Sequence, residues 1–124
     1  MASDNITILC VDDEDTPRTL RKLILEKQGY QVITAASGAE ALETLARNSI
    51  DLVLSDQMMP GMTGTELTKS VKTSRPTMPV ILISGVNEIP SDASHADRFI
   101  SKAGGPELLF KTIAEVLTAH GYID

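Results

Sequence analysis

The stretch Ile50 to Ser74, IDLVLSDQMMPGMTGTELTKSVKTS, sets the pattern on which the chain is built. Its first six residues, Ile50 to Ser55, form a short apolar run of the kind that makes a buried strand. Asp56 closes that run. A turn carrying Pro60 and Gly61 follows. From Gly64 to Ser74 the apolar residues Leu67 and Val71 fall four apart, which is helical spacing. A strand thus delivers a carboxylate to its end and the chain returns as a helix.

The same alternation runs outward in both directions. Upstream, Ile6 to Val11 (ITILCV) is an apolar run ending in Asp12-Asp13. Leu20, Leu23, Ile24 and Lys27 then fall at helical spacing, and Gly29 is a stop signal. Tyr30 to Thr34 (YQVIT) reads as a strand. Ser37 is a candidate N-cap for a helix that turns Ala41, Leu42 and Leu45 inward. Downstream, Pro79 to Ser84 (PVILIS) is a fourth strand and Arg98 to Ser101 a brief fifth. Pro106 opens a last helix with Leu109, Ile113, Val116 and Leu117 on one face. Strands alternating with helices imply βαβ units and a parallel sheet covered on both faces. The expected fold is α/β, a flavodoxin-like doubly wound sheet of five strands in the order 2-1-3-4-5.

The chain has 124 residues, the size of one domain, and residues 1–124 are expected to be one domain. Only 3% of residues are aromatic, so the core must be aliphatic. The formal net charge of −6 argues against nucleic acid or an anionic membrane as a partner. Cys10 is the one cysteine and lies in an apolar run, so it reads as a buried core residue. With no signal-peptide pattern, this points to a reducing cytoplasm. The apolar stretch near Pro79 to Val86 is too short to span a bilayer.

On such sheets ligands bind beyond the carboxyl ends of the strands, at the switch point between strands 1 and 3. Strand 1 ends at Asp12-Asp13, strand 3 at Asp56, strand 4 at Ser84 and strand 5 at Lys102. Taken singly, each has an ordinary reading as a turn residue, a helix cap or a surface lysine. Together they place three carboxylates, a hydroxyl and an ammonium on one rim. The carboxylates repel unless a cation sits among them. Oxygen ligands without His or Cys favour Mg²⁺ over zinc. A hydroxyl and an ammonium opposite them suit phosphoryl oxygens.

These residues resemble the receiver domain of bacterial-type response regulators, of the chemotaxis-regulator kind. Asp51 to Gly64, DLVLSDQMMPGMTG, is similar to the family's acceptor segment, Val11 to Glu14 (VDDE) to its acidic pair, and Ser84-Gly85 to its hydroxyl-small pair. Lys102 and Phe99 match its lysine and its switch aromatic. The resemblance covers essentially the whole chain and implies these roles. Asp56 becomes an aspartyl phosphate. Asp13, Asp56 and the backbone carbonyl of Met58 hold Mg²⁺ directly, and Asp12 through water. Ser84 and Lys102 contact the phosphoryl group, and Phe99 turns inward as Ser84 is drawn toward it. The donor is a sensor histidine kinase or a histidine phosphotransfer protein, and the output goes to an unidentified partner. The chain is then no enzyme beyond phosphotransfer to itself and autodephosphorylation.

Two departures from the family stand out. The residue after Lys102 is Ala103 rather than Pro, and Gly104-Gly105-Pro106 follow. A cis bond before Ala would cost about 3 kcal/mol. A trans bond or a strained exception is therefore expected, with the glycines absorbing the bend. The stretch between Ser84 and Lys102 is also a few residues short. Val86 to Asp97 contains Pro90 and no apolar stripe, so a helix there should be short, irregular or absent. It is expected to be mobile and to be the region most changed by phosphorylation. A phosphatase-like enzyme with a nucleophilic Asp wants a second Asp two positions on, where this chain has Met58. A flavodoxin proper wants a phosphate cradle after strand 1, where VDDE would repel phosphate. The remaining alternative is a receiver-like adaptor that binds partners without phosphorylation.

Overall fold

The computed structural model describes residues 5–85 and 96–122. Its order is β1 (Thr7–Val11), α1 (Asp15–Lys27), β2 (Gln31–Ala35), α2 (Gly38–Arg47), β3 (Leu52–Asp56), α3 (Gly64–Ser74), β4 (Val80–Ser84), β5 (Arg98–Ser101), a 3-10 turn (Lys102–Gly104) and α4 (Gly105–Ala119). The five strands form one parallel sheet in the order β2-β1-β3-β4-β5, as expected.

Side chains alternate across a strand, so each strand feeds two cores. Ile8 and Cys10 of β1, Leu52 and Leu54 of β3 and Ile81 and Ile83 of β4 pack on the side of α1 and α4. Leu9 and Val11, Val53, and Val80 and Leu82 pack on the side of α2 and α3. Every residue of β3 and β4 is buried, which is why those strands read as unbroken apolar runs. The helices bury the predicted residues in three cases. Ala41 and Leu45 of α2, Leu67 and Val71 of α3, and Leu109, Ile113, Val116 and Leu117 of α4 are all buried, with Leu42 partly so.

Caps explain where the helices begin. Ser37 Oγ accepts the Glu40 N–H at 3.1 Å, as expected. Thr63 and Glu66 form a reciprocal capping box at the start of α3. Pro106 lies in the first turn of α4.

Helix α1 departs from the sequence reading. Leu20 and Leu23 share helical spacing with Ile24, yet they are 57% and 52% exposed. The residue of α1 that is fully buried is Leu25. The helix docks with the face carrying Pro17, Arg21, Ile24 and Leu25 toward the sheet, a rotation that apolar spacing alone could not fix. The expectation for Val86 to Asp97 falls mostly on residues 86–95, which lie outside the described residues. At the other edge, the Lys102–Ala103 bond is trans and no cis peptide occurs among the described residues. The bend is absorbed by the 3-10 turn and by Gly105 at φ 73°. Lys102 accordingly opens that turn rather than ending β5, which stops at Ser101.

Candidate functional site

The site lies at the carboxyl ends of β1, β3, β4 and β5. The Asp12 N–H donates to Ala35 O at 3.1 Å, carrying the β1–β2 ladder one residue past the strand and holding Asp12 at the rim. Asp56 is the last residue of β3, and the next N–H, of Gln57, donates to Ile83 O at 2.8 Å. The 57–64 turn then folds back tightly. Gly64 N–H donates to Gln57 O at 2.9 Å, and Thr65 Oγ1 donates to Gln57 Oε1 at 2.9 Å. A Cβ on Gly64 would stand 2.6 Å from Asp56 O and 2.8 Å from Leu82 Cδ2, so only glycine lets α3 start this close to the end of β3.

Oxygens of Asp12, Asp13 and Asp56 lie within 4.8 Å of one another. Asp12 and Asp56 are buried, and Asp13 is more open to solvent. Lys102 Nζ stands 3.0 Å from Asp56 Oδ1. The ammonium is close enough for an ion pair, and among the described residues that buried oxygen has no further partner. Burial pushes the Asp56 carboxyl above the ordinary carboxylate range. Lys102 draws it back, the neighbouring Asp12 charge adds to the rise, and Arg21 opposes it.

The donor set suits a hard divalent cation. Among the described residues it offers carboxylate oxygens, one of them buried and met only by the Lys102 ammonium, and no histidine. Cys10 points into the core below, and burial raises its thiol to about 11, so it supplies no thiolate. Ser84, the last residue of β4, is fully buried, and its hydroxyl donates to Gly85 O at 3.1 Å. Phe99 pairs in register with Leu82 and is half-buried against the core on the α2–α3 side. Met58 lies in the turn after Asp56 with its side chain 54% exposed. The structure therefore brings Asp12, Asp13, Asp56 and Lys102 together, with Ser84 and Phe99 on the two strands beyond.

Sequence reasoning missed two arginines. Arg21 Nη1 donates to Asp12 Oδ2 at 2.6 Å. Arg18 donates to Asp12 O at 2.9 Å and pairs with Asp15. The signal was present. Arg21 falls four residues after Pro17 and three before Ile24, an arginine on the inward face of a helix that begins beside an acidic pair.

The sequence matches the family described as the response regulator receiver domain over residues 8–114. It is 35% identical over 114 residues to the transcriptional regulatory protein GlrR of Escherichia coli, covering 89% of this chain and 26% of that protein. It is 35% identical over 123 residues to the sensor kinase CckA of Brucella abortus, covering 93% of this chain and 13% of that one. The chain thus spans about a quarter or less of these relatives. Among solved structures, a CheY-like receiver domain protein of Methanospirillum hungatei superposes with a TM-score of 0.86 at 33% identity, covering 94% and 96% of the two chains. The response regulator TrrA of Thermotoga maritima, in complex with Mg²⁺ and BeF, superposes with a TM-score of 0.84 at 32% identity, covering 90% and 99%. No described helix is long and apolar enough to cross a membrane.

Proposed function

This chain belongs to the response regulator receiver domain family, whose members are signalling modules of two-component systems marked by aspartyl phosphorylation, and on that premise we propose that Asp56 accepts a phosphoryl group and switches the domain. The observation that carries the proposal is the buried Asp56 carboxylate, with Lys102 Nζ 3.0 Å from one oxygen and two more carboxylates gathered beside it. Receiver domains bind Mg²⁺ at an acidic pocket. Here Asp13, Asp56 and the Met58 carbonyl would hold the ion and Asp12 would act through water. When bound, the ion supplies positive charge that screens the attacking carboxylate from the phosphoryl oxygens.

The remaining work falls to the chain. An Asp56 oxygen attacks the phosphorus of a phosphohistidine, the P–N bond breaks, and its electron pair leaves on the imidazole, which takes a proton. Lys102 sits where it can pair with a phosphoryl oxygen, adding charge stabilisation that asks for no reorganisation. The Ser84 hydroxyl would exchange its Gly85 carbonyl for a phosphoryl oxygen, a contact that exists only in the phosphorylated state. Phe99, half-buried beside Leu82, would follow Ser84 inward. Water later attacks the acyl phosphate and resets the site.

Donors of the right chemistry are histidine kinases and histidine phosphotransfer proteins, in keeping with sensor kinases among the relatives. The output partner is a protein that distinguishes the two states. Incubation with Mg²⁺ and acetyl phosphate, read by intact mass, should add one acid-labile phosphoryl group to the chain and none to Asp56→Asn. An Asp56→Asn variant that still gains it would overturn the assignment.

A further inference from the structure

We propose that Arg21 is a tethered counter-ion for Asp12 that competes with a divalent cation and so sets how weakly this site holds Mg²⁺. The inference rests on reading Asp12, Asp13 and Asp56 as the carboxylates that hold the ion.

Asp12 is fully buried, and the Arg21 side chain is only 13% exposed. Both Asp12 oxygens are engaged. Oδ2 takes the Arg21 guanidinium at 2.6 Å, and Oδ1 takes the Glu14 N–H at 2.9 Å. Arg18 cannot stand in for Arg21, because it is committed to the Asp12 backbone carbonyl and to Asp15. Among the described residues the three carboxylates are thus met by two side-chain cations, Arg21 on Asp12 and Lys102 on Asp56. A guanidinium matches a carboxylate geometrically and here is tethered to the chain, so it cannot diffuse away as a bound ion can.

Two consequences follow. A divalent ion approaching the cluster meets one uncompensated negative charge instead of three, which weakens its attraction. Asp12 can also lend an oxygen to the ion, or to its water, only by sharing it with Arg21. Metal-free protein should therefore be well folded and Mg²⁺ affinity low, with Arg21 responsible for both. Arg21 is here a positioning and affinity-setting residue, not one that touches the phosphoryl group.

Calorimetric titration with Mg²⁺ and metal-free thermal melting test this on Arg21→Met, which keeps the apolar stem and removes the charge. The variant should bind Mg²⁺ about tenfold more tightly, a coupling of ordinary size for partners in one charge network. It should melt lower without metal and gain more from saturating Mg²⁺. Arg21→Lys should bring the affinity back toward wild type. In an Asp12→Asn background, Arg21→Met should change the affinity much less. A folded Arg21→Met whose Mg²⁺ affinity is unchanged or weaker overturns the proposal. If that variant does not fold, Arg21→Gln should bind Mg²⁺ more tightly than Arg21→Lys, and equal affinities overturn it. Should neither wild type nor Asp13→Ala bind Mg²⁺, the metal-holding assignment itself fails. Binding that is lost in Asp13→Ala yet indifferent to Arg21 sinks the counter-ion alone.

Discussion

Lys102 Nζ lies 3.0 Å from Asp56 Oδ1 although the two residues leave strands that are not neighbours, because β4 separates β3 from β5. The lysine reaches over the end of β4, past Ser84, to touch the buried carboxylate. That reach makes the rim one electrostatic unit instead of a set of strand ends.

Asp56 is the first place to test the unit. Its folded carboxyl is raised mainly by burial, so the folded protein holds that proton more tightly than the unfolded chain does. Stability should fall as pH rises from the ordinary carboxylate value through the raised one, and stay reduced above it. Asp56→Asn removes the buried charge at nearly constant shape and should then stabilise the metal-free protein at neutral pH by ~0.5–3 kcal/mol, the ordinary span of a single substitution. The gain should shrink as pH falls from the raised value toward the ordinary carboxylate value and stay small below it. Urea denaturation across pH reads both, and a loss of stability at pH 7 would show that the Lys102 pair outweighs burial.

Removing the lysine separates charge stabilisation from fold. Lys102→Met should slow phosphorylation by acetyl phosphate at least tenfold, a modest loss for an electrostatic group aimed at the reacting centre. It should shift the Asp56 carboxyl further upward, visible by carboxyl-carbon NMR titration. Unchanged kinetics with a shifted titration would leave Lys102 as a counter-ion only.

Asp13 is more open to solvent, and no side-chain cation pairs with it among the described residues. Asp13→Ala should weaken Mg²⁺ binding while raising metal-free stability by about 0.5–1 kcal/mol, because exposed like charges repel only modestly. Melting in chelator and in saturating Mg²⁺ gives the two signs. Destabilisation in chelator would mean that Asp13 makes a favourable structural contact.

Gly64 is held by space, since a Cβ would stand 2.6 Å from Asp56 O. Gly64→Ala should cost ~1–3 kcal/mol, as overpacking does in a tight interior. It should also impair phosphorylation by displacing the strand end that carries Asp56. Full activity at wild-type stability would show that the 57–64 turn yields without cost.

Cys10 should be inert in the folded protein. Its thiol is raised by burial to about 11 from an ordinary 9.0, so the unfolded chain ionises first as pH rises. Stability should therefore decline between about pH 9 and pH 11, and Cys10→Ser should flatten that decline. Labelling by a disulfide reagent at pH 8 should proceed only through unfolding. Rapid labelling of native protein would contradict the burial of Cys10.

The alternation of strands and helices, and the carboxylates and hydroxyl that close β1, β3 and β4, were legible in the sequence, while Lys102 fell one residue beyond β5. Those features are local, since an apolar run, a cap such as Ser37 and a carboxylate closing a strand are each written within a few residues. The parallel sheet then leaves few ways to connect them. The stretch 51–64 was legible for the same reason, its strand, turn and Gly64 being contiguous. The rotation of α1 on the sheet came from packing instead. Leu20, Leu23 and Ile24 share the helical period with Arg21, and periodicity defines a stripe without fixing which edge of it meets the sheet. Docking buried Leu25, left Leu20 and Leu23 outside, and turned Arg21 onto Asp12. The trans turn after Lys102 was likewise settled by the bend through Gly105. Charge pairs between residues nine or more apart carry no period, so which cation meets which carboxylate is fixed only when the elements pack.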